Sequence, residues 1–303
     1  MNTASAASLV VGEALVDIVH RADGSVDEKP GGSPANVALA LGRLGRSPRL
    51  ITHLGADERG RLVRGWLEAS GVSVGGAVAA RTSTAAAVLD ASGAARYDFA
   101  IDWDVEIAGD VDADTLHVGS IATVLAPGAD IVADLVDRLS GRALVTFDPN
   151  IRPSLIDEPG DVRSRVASLI GRADVVKASD EDLAWLHPDE ELEAVARRWA
   201  AEGPALVVVT AGAEGAFAVA GERLVRVEAG PVQVVDTVGA GDTFMGALID
   251  GLLEEGAYGP GAREVLRALD DTRLTAVLRR SADAAAITVS RPGADPPTRA
   301  ELA

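Results

Sequence analysis

The chain has 303 residues, 48% of them hydrophobic and 24% charged, the balance of a soluble globular protein large enough to bury a substantial core rather than of a disordered or fibrous one. Its formal charge of −18 repels a phosphate backbone or an anionic bilayer, so neither nucleic acid nor a membrane is expected as the main partner, and any polyphosphate must be held by local devices. Cysteine is absent, which excludes disulfides, thiolate catalysis and cysteine-ligated zinc.

The opening MNTASAASLV lacks a basic region followed by a long apolar core, and no later apolar run is long enough to span a bilayer, so the chain reads as cytoplasmic and complete. Strand-like runs then alternate with helical patterns, the order of a doubly wound α/β fold whose mostly parallel sheet is flanked by helices. Residues 9–19 predict the first strand. The next helix opens at SPANVALALGRLG, where Ser33 suits the N-cap, Pro34 the first turn and Gly45 the exit. PRLITHLG predicts a strand ending near Gly55, and further strands are expected over 116–119, 143–148, 174–177 and 206–210. In this architecture ligands bind in the loops that follow the strands. Two segments interrupt the alternation, about 17–30 and about 81–105; each is either a small β lid over the site or a surface hairpin with no role. No repeat or linker divides the chain, so residues 1–303 read as one domain.

The stretch VVDTVGAGDTFMGALIDGLL runs from a strand end into Gly239, Ala240 and Gly241, then into a helix with Asp242 in its first turn. Small residues there let several backbone N–H groups point into one space, and the helix N-terminus adds partial positive charge, so an anion hole arises without lysine. Phosphoryl transfer needs such a hole between donor and acceptor. Asp242 is placed either to accept a hydroxyl proton or simply to stabilise a helix start; the adjoining Gly-Ala-Gly favours chemistry. GAGDTF also resembles the opening of a dinucleotide fingerprint, but Phe244 stands where the third glycine belongs. Lysine occurs only at Lys29 and Lys177 and no Gly-Lys dipeptide exists, which excludes a Walker A loop.

Two signatures, GGSPANVALALGRLG with ITHLGADERG behind it and DTVGAGDTF near the C-terminus, resemble the PfkB, or ribokinase-like, carbohydrate kinases, and within them the fructokinase group. The resemblance covers nearly the whole chain and implies a ribokinase-like fold with a β lid. It implies that Asp242 is the catalytic base and that Gly239, Ala240 and Gly241 form the anion hole. Gly31 and Gly32 match the glycine pair where the lid joins the body, and Asp17 and Asn36 match positions that hold sugar hydroxyls. In TFDPNIRPSL, Asp148, Asn150 and Arg152 match the D-x-N-x-R pattern of fructokinases; Arg152 is expected on the phosphate or an anionic part of the substrate, with a surface salt bridge as the competing explanation. Lys177, Thr210, Gly212 and Gly215 are expected around the nucleotide, and the alanine-rich helix containing Ala284 matches the wall on which adenine lies. Tyr97, Phe99 and Trp103 in the second lid segment are expected to pack on the sugar and exclude water.

Two departures from the family pattern stand out. Where Asn-x-x-Glu is usual for organising magnesium and phosphate, the chain reads SDED, with Ser179 and Asp182 in those slots, so an indirect metal contact is expected of Asp182. Asp295 stands where asparagine is common, which implies altered nucleotide or cation binding. The four histidines show no ligand spacing, so no transition-metal site is expected, and neither is a serine-hydrolase elbow. The implied activity is transfer of the γ-phosphate of Mg-ATP to a primary hydroxyl of a sugar, fructose first. 2-Keto-3-deoxygluconate and ribonucleosides are the alternatives, and a non-catalytic sensor is the reading from another class. The implied ligands are ATP, Mg2+, K+ and the sugar; a homodimer is compatible with the resemblance.

Overall fold

The computed structural model describes residues 6–302 except 21–23, 90–94, 108 and 157. The first apolar run does not make one strand. It divides into Ser8–Val11 (β1) and Leu15–His20 (β2), because Gly12 runs so close to the following helix that a Cβ there would lie 2.2 Å from Pro34 Cγ. β2 turns back as Val26–Gly31 (β3), in antiparallel register from Leu15 opposite Gly31 to His20 opposite Val26. The chain then re-enters the body as helix α1, Ser33–Arg43, which ends where Gly45 takes a φ of 82° that a side chain would disfavour.

The rest of the chain follows the predicted alternation. Strands Arg49–Ile51 (β4) and Leu54–Gly55 (β5) precede helix Glu58–Glu68 (α2). Strands Ser73–Gly75 (β6), Val78–Ala79 (β7), Thr84–Leu89 (β8) and Ala95–Ala100 (β9) follow. Then come Thr115–Gly119 (β10), Gly128–Leu139 (α3), Leu144–Asp148 (β11), Pro159–Ile170 (α4), Val175–Ser179 (β12), Asp180–Leu186 (α5) and Leu192–Glu202 (α6). Strands Leu206–Thr210 (β13), Ala216–Ala220 (β14) and Arg223–Val227 (β15) lead to helices Ala240–Glu254 (α7), Ala262–Ala268 (α8) and Asp271–Val289 (α9).

Among the described residues, nine strands form the main sheet in the order β15-β14-β13-β12-β11-β10-β1-β4-β6, parallel except for β14 and β15. Its central strands are apolar on both faces, as a sheet covered on both sides requires. Val10, Leu144 and Val175 pack under α1, α2, α7, α8 and α9, while Leu9, Val11, Val145 and Val176 pack under α3 to α6. The polar loops after β1, β10, β11 and β12 therefore gather at one edge, beside the N-terminus of α7.

Both interrupting segments join one smaller sheet, β3-β2-β8-β9, in which β2 and β8 run parallel. It is tied to the body through Asp57, the N-cap of α2. That carboxylate accepts from the Thr82 hydroxyl at 2.6 Å, Thr82 N at 2.8 Å and Gly60 N at 2.8 Å, bonds that hold it down at a pKa of about 2. The ADERG part of the N-terminal signature is thus a strut between a helix and the lid. Lys29 on β3 reaches the loop after α9, where a Cβ on Gly293 would lie 3.8 Å from its Nζ. Among the described residues no helix is long and apolar enough to cross a membrane.

Candidate active site

The approach to α7, residues 228–238, is polar or exposed, and the turn at Gly239 is forced by sterics. Gly239 has a φ of 75°, and a Cβ on it would meet the Cβ of Ala294 at 2.6 Å. The helix starts at Ala240 with Asp242 in its first turn, only 7% exposed. Its carboxylate is aimed by α1: Oδ1 accepts from the Ser33 hydroxyl at 2.6 Å and Oδ2 from Asn36 Nδ2 at 2.8 Å. Asn150 Nδ2 lies 3.4 Å from Oδ1. Ser33 is therefore not the N-cap of α1; Gly32 holds that place and the hydroxyl goes to a residue 209 positions away.

Beneath the turn lies a second charged group. Lys177, in the middle of β12 and 3% exposed, donates to Asp148 Oδ2 at 3.0 Å, and a Cβ on Gly241 would come within 3.0 Å of its Nζ. Burial lowers the lysine pKa, but Asp148, Asp182 and Asp242 more than offset this and hold it above its ordinary value. Burial likewise pushes Asp148 up to about 6, against the pull of Lys177, so both are charged at neutral pH. His117 faces the same ammonium; burial and that charge depress it to about 3, leaving it neutral.

On the lid side, Asp17 stands on β2 against Gly31, where a Cβ would lie 2.1 Å from its Oδ2. Burial raises Asp17 to about 6, with Arg152 opposing and Asp242 reinforcing the shift. Arg152 is exposed and forms no ion pair with any described residue; it donates to the carbonyls of Asn150 and Ile151 at 3.4 and 3.1 Å. A cavity of about 360 Å³ adjoins Asn150 and Arg152, walled by Phe99 and Ile101 from the lid side and Ile121 and Val124 from the loop after β10. The edge thus brings a buried carboxylate with two donors, a helix N-terminus with a cation under it, and an apolar-walled cavity into one place. Asn36 Oδ1 and Asp148 Oδ1 are buried without partners, acceptors that ligand hydroxyls or water fit.

The profile of the pfkB family carbohydrate kinases matches residues 6–301. The chain belongs to that family. As a member it is a phosphotransferase acting on a carbohydrate alcohol. It is 37% identical over 261 residues to a fructokinase of Rhizobium leguminosarum bv. trifolii, covering 80% of this kinase and 79% of the relative. It is 32% identical to the probable fructokinase-4 of Arabidopsis thaliana, over 97% of this chain and 95% of that one. In three dimensions it resembles a fructokinase of Xylella fastidiosa with bound ATP, with a TM-score of 0.86 and 26% identity over 98% of this chain and 96% of the other. A fructokinase double mutant of Vibrio cholerae O395, solved with fructose, ADP and a potassium ion, matches with a TM-score of 0.82 and 27% identity over 99% and 98% of the two chains.

Several expected site residues of this kinase stand elsewhere. Ala284 is fully buried against Leu44 and Ala247, so it cannot wall a base; Ala282, Ala285 and Ala286 occupy the partly exposed side of α9. Trp103 lies in the core, 2% exposed, donating to Ala122 O at 3.0 Å, and is no lid aromatic. Tyr97 faces Ala87 in the β8–β9 register, but its side chain lies outside the described residues. Asp182 is occupied: Oδ2 accepts from Ser179 N at 2.9 Å and Ser179 Oγ at 2.7 Å, and Oδ1 from Ile151 N at 2.7 Å. It closes a capping box on α5 and braces the 150–152 loop, a role that accounts for its burial without a metal. Asp295 is ion-paired with Arg43 and Arg291, fastening the loop after α9 to α1. Gly215 is required by packing, since a Cβ would meet Val227 O at 2.2 Å; Thr210 ends β13 and Gly212 opens the turn that follows it.

Sequence reasoning missed Ser33 as a partner of Asp242, and it missed Glu13. It also overlooked GVSVG, residues 71–75, which has the spacing of a hydrolase elbow. Ser73 there is an exposed residue of β6, paired in parallel with Arg49 and followed by no helix, so the elbow geometry is absent.

Proposed function

We propose that this kinase is an ATP-dependent fructokinase, acting as one catalytic unit with its small sheet as a lid. The observation that carries the reading is Asp242, buried at the N-terminus of α7 and gripped by Ser33 and Asn36, in a chain 37% identical to a fructokinase. Asp17, Gly31, Gly32, Asn36 and Asn150 hold the sugar with its primary hydroxyl toward Asp242. Asp242 takes that proton as the γ-phosphoryl group transfers. The amides of residues 239–242 and the ammonium of Lys177 stabilise the charge that spreads over the transferring oxygens. Arg152, free of carboxylate partners among the described residues, neutralises the phosphate as it arrives on the sugar.

ATP is placed along the turn after β13 and the exposed face of α9, with Thr210 and Gly212 nearby. Mg2+ enters this reading with the nucleotide, since magnesium in such sites is held mainly by substrate phosphates and water. Magnesium bound there supplies charge neutralisation for the β- and γ-phosphates. We assign the protein to the cytoplasm and include K+ as an activator.

The test is ADP release with Mg-ATP, with and without K+, against fructose, ribose, 2-keto-3-deoxygluconate and nucleosides. Fructose is expected to give the highest kcat/KM. Preference for another acceptor would replace the substrate, and ATP binding with no turnover on any acceptor would favour the sensor.

The role given to Lys177 has its own check. Lys177→Met alone strands a buried Asp148 carboxylate and is expected to cost about 3–5 kcal/mol of stability. Combining it with Asp148→Asn should restore the melting temperature while turnover stays down by roughly tenfold or more. Recovery of both would make the pair purely structural.

A further inference from the structure

Glu13 has no part in the chemistry above, yet it is 3% exposed at the place where three segments cross. It sits between β1 and β2, where the chain leaves the body for the lid. The returning segment touches it: a Cβ on Gly32 would lie 2.6 Å from Glu13 O and 3.0 Å from Ala14 Cα. The third segment is the turn after β10, where Ala122 N donates to Glu13 Oε2 at 3.1 Å and the Ser120 side chain hydrogen-bonds the same carboxylate. That turn is itself held in an unusual backbone state, with Ser120 at a φ of 53°, and Ser120 and Ile121 wall the cavity beside Asn150. The charged group whose field reaches Glu13 is Arg152, which lines that cavity and forms no ion pair with the carboxylate.

We propose that Glu13 is a positioning residue for sugar binding: its carboxylate locks the lid hinge to the wall of the sugar cavity and orients Arg152 toward it. The inference rests on the fructokinase reading for its substrate but not for its geometry. A buried carboxylate without a paired cation is costly where an apolar side chain would fill the space, and burial pushes Glu13 up to about 7. A carboxylate that served only to cap the turn would leave ligand binding untouched when an amide replaced it.

The experiment compares Glu13→Ala and Glu13→Gln with the parent by steady-state kinetics, thermal melting and hydrogen exchange of the ligand-free proteins. Glu13→Ala is expected to raise the fructose KM by roughly tenfold to a hundredfold while leaving the ATP KM unchanged. Peptides covering residues 12–20 and 26–36 should exchange faster, with the sheet core unaltered. Glu13→Gln, whose amide oxygen still accepts from Ala122 N, should recover the hinge protection and only part of the fructose KM, because the charge facing Arg152 is gone. Unchanged fructose KM in both variants, or a general loss of protection with both KM values rising together, would overturn the proposal. If the parent phosphorylates no sugar, the kinase reading fails, and hinge exchange still decides whether Glu13 locks the lid.

Discussion

Asp242→Ala is expected to lower turnover by about a hundredfold to ten-thousandfold with little loss of ATP affinity, the range for removal of a general base. The geometry explains why the loss should fall on kcat. Ser33 and Asn36 spend their donors on this one carboxylate, which fixes both of its oxygens before any ligand arrives. A proton acceptor oriented in this way needs no reorganisation as the hydroxyl is attacked. Asp242→Asn preserves shape and loses basicity, so it should be impaired to a similar degree. ADP release at saturating ATP, with nucleotide binding measured separately, decides the matter. Near-normal turnover in either variant would remove Asp242 from the mechanism.

The second large effect lies further along α7 and concerns stability. Asp250, fully buried in α7, accepts from Arg46 Nε at 2.5 Å and Arg299 Nη2 at 2.6 Å, and lies 3.2 Å from Arg280 Nη2. One carboxylate thus joins the end of α1, the middle of α7, α9 and the C-terminal turn. Its removal leaves three guanidinium groups facing one another with only the exposed carboxylate of Glu254 as their shared counter-charge. The arginine side chains are 17–43% exposed, so water screens part of the repulsion, and the expected cost of Asp250→Ala is about 3 kcal/mol, the lower end for breaking a buried pair. Melting temperature should drop by roughly 5–10 °C, while the kinetics of the surviving folded protein stay near those of the parent. A melt indistinguishable from the parent would mean that Glu254 and solvent satisfy the arginines without Asp250.

The layered architecture was legible because buried parallel strands and amphipathic helices write different periods into the chain, and residues 116–119 and 206–210 fell almost on the observed strands. The lid hinge was not. LVVGEALVDIV reads as one apolar run, and the break at Gly12 depends on Pro34, a contact that no local pattern encodes. Ser33 illustrates the same limit: its neighbours favour an N-cap, and the competing partner, Asp242, is distant in sequence. A run of alanines does not distinguish one face of a helix from another: Ala284 falls on the buried face of α9, and Ala282, Ala285 and Ala286 are the partly exposed ones. Asp182 was legible in principle, because Ser-x-x-Asp before an apolar helix is a capping-box signal that the metal reading displaced. The side chains around Asp242 come from α1, the loop after β11 and α7, and only the fold brings them together.

Lys29, reaching from the lid strand to Gly293, has a chemical consequence. The chain has two lysines, and Lys177 is sealed beneath the anion hole, whereas the Lys29 side chain is half exposed. An amine-directed acylating reagent therefore meets one solvent-facing ε-amine, seated where the small sheet approaches the loop after α9. A fluorophore or affinity tag attached through lysine would land on the small sheet of this kinase, and under the lid reading proposed above it would report the position of that sheet in solution.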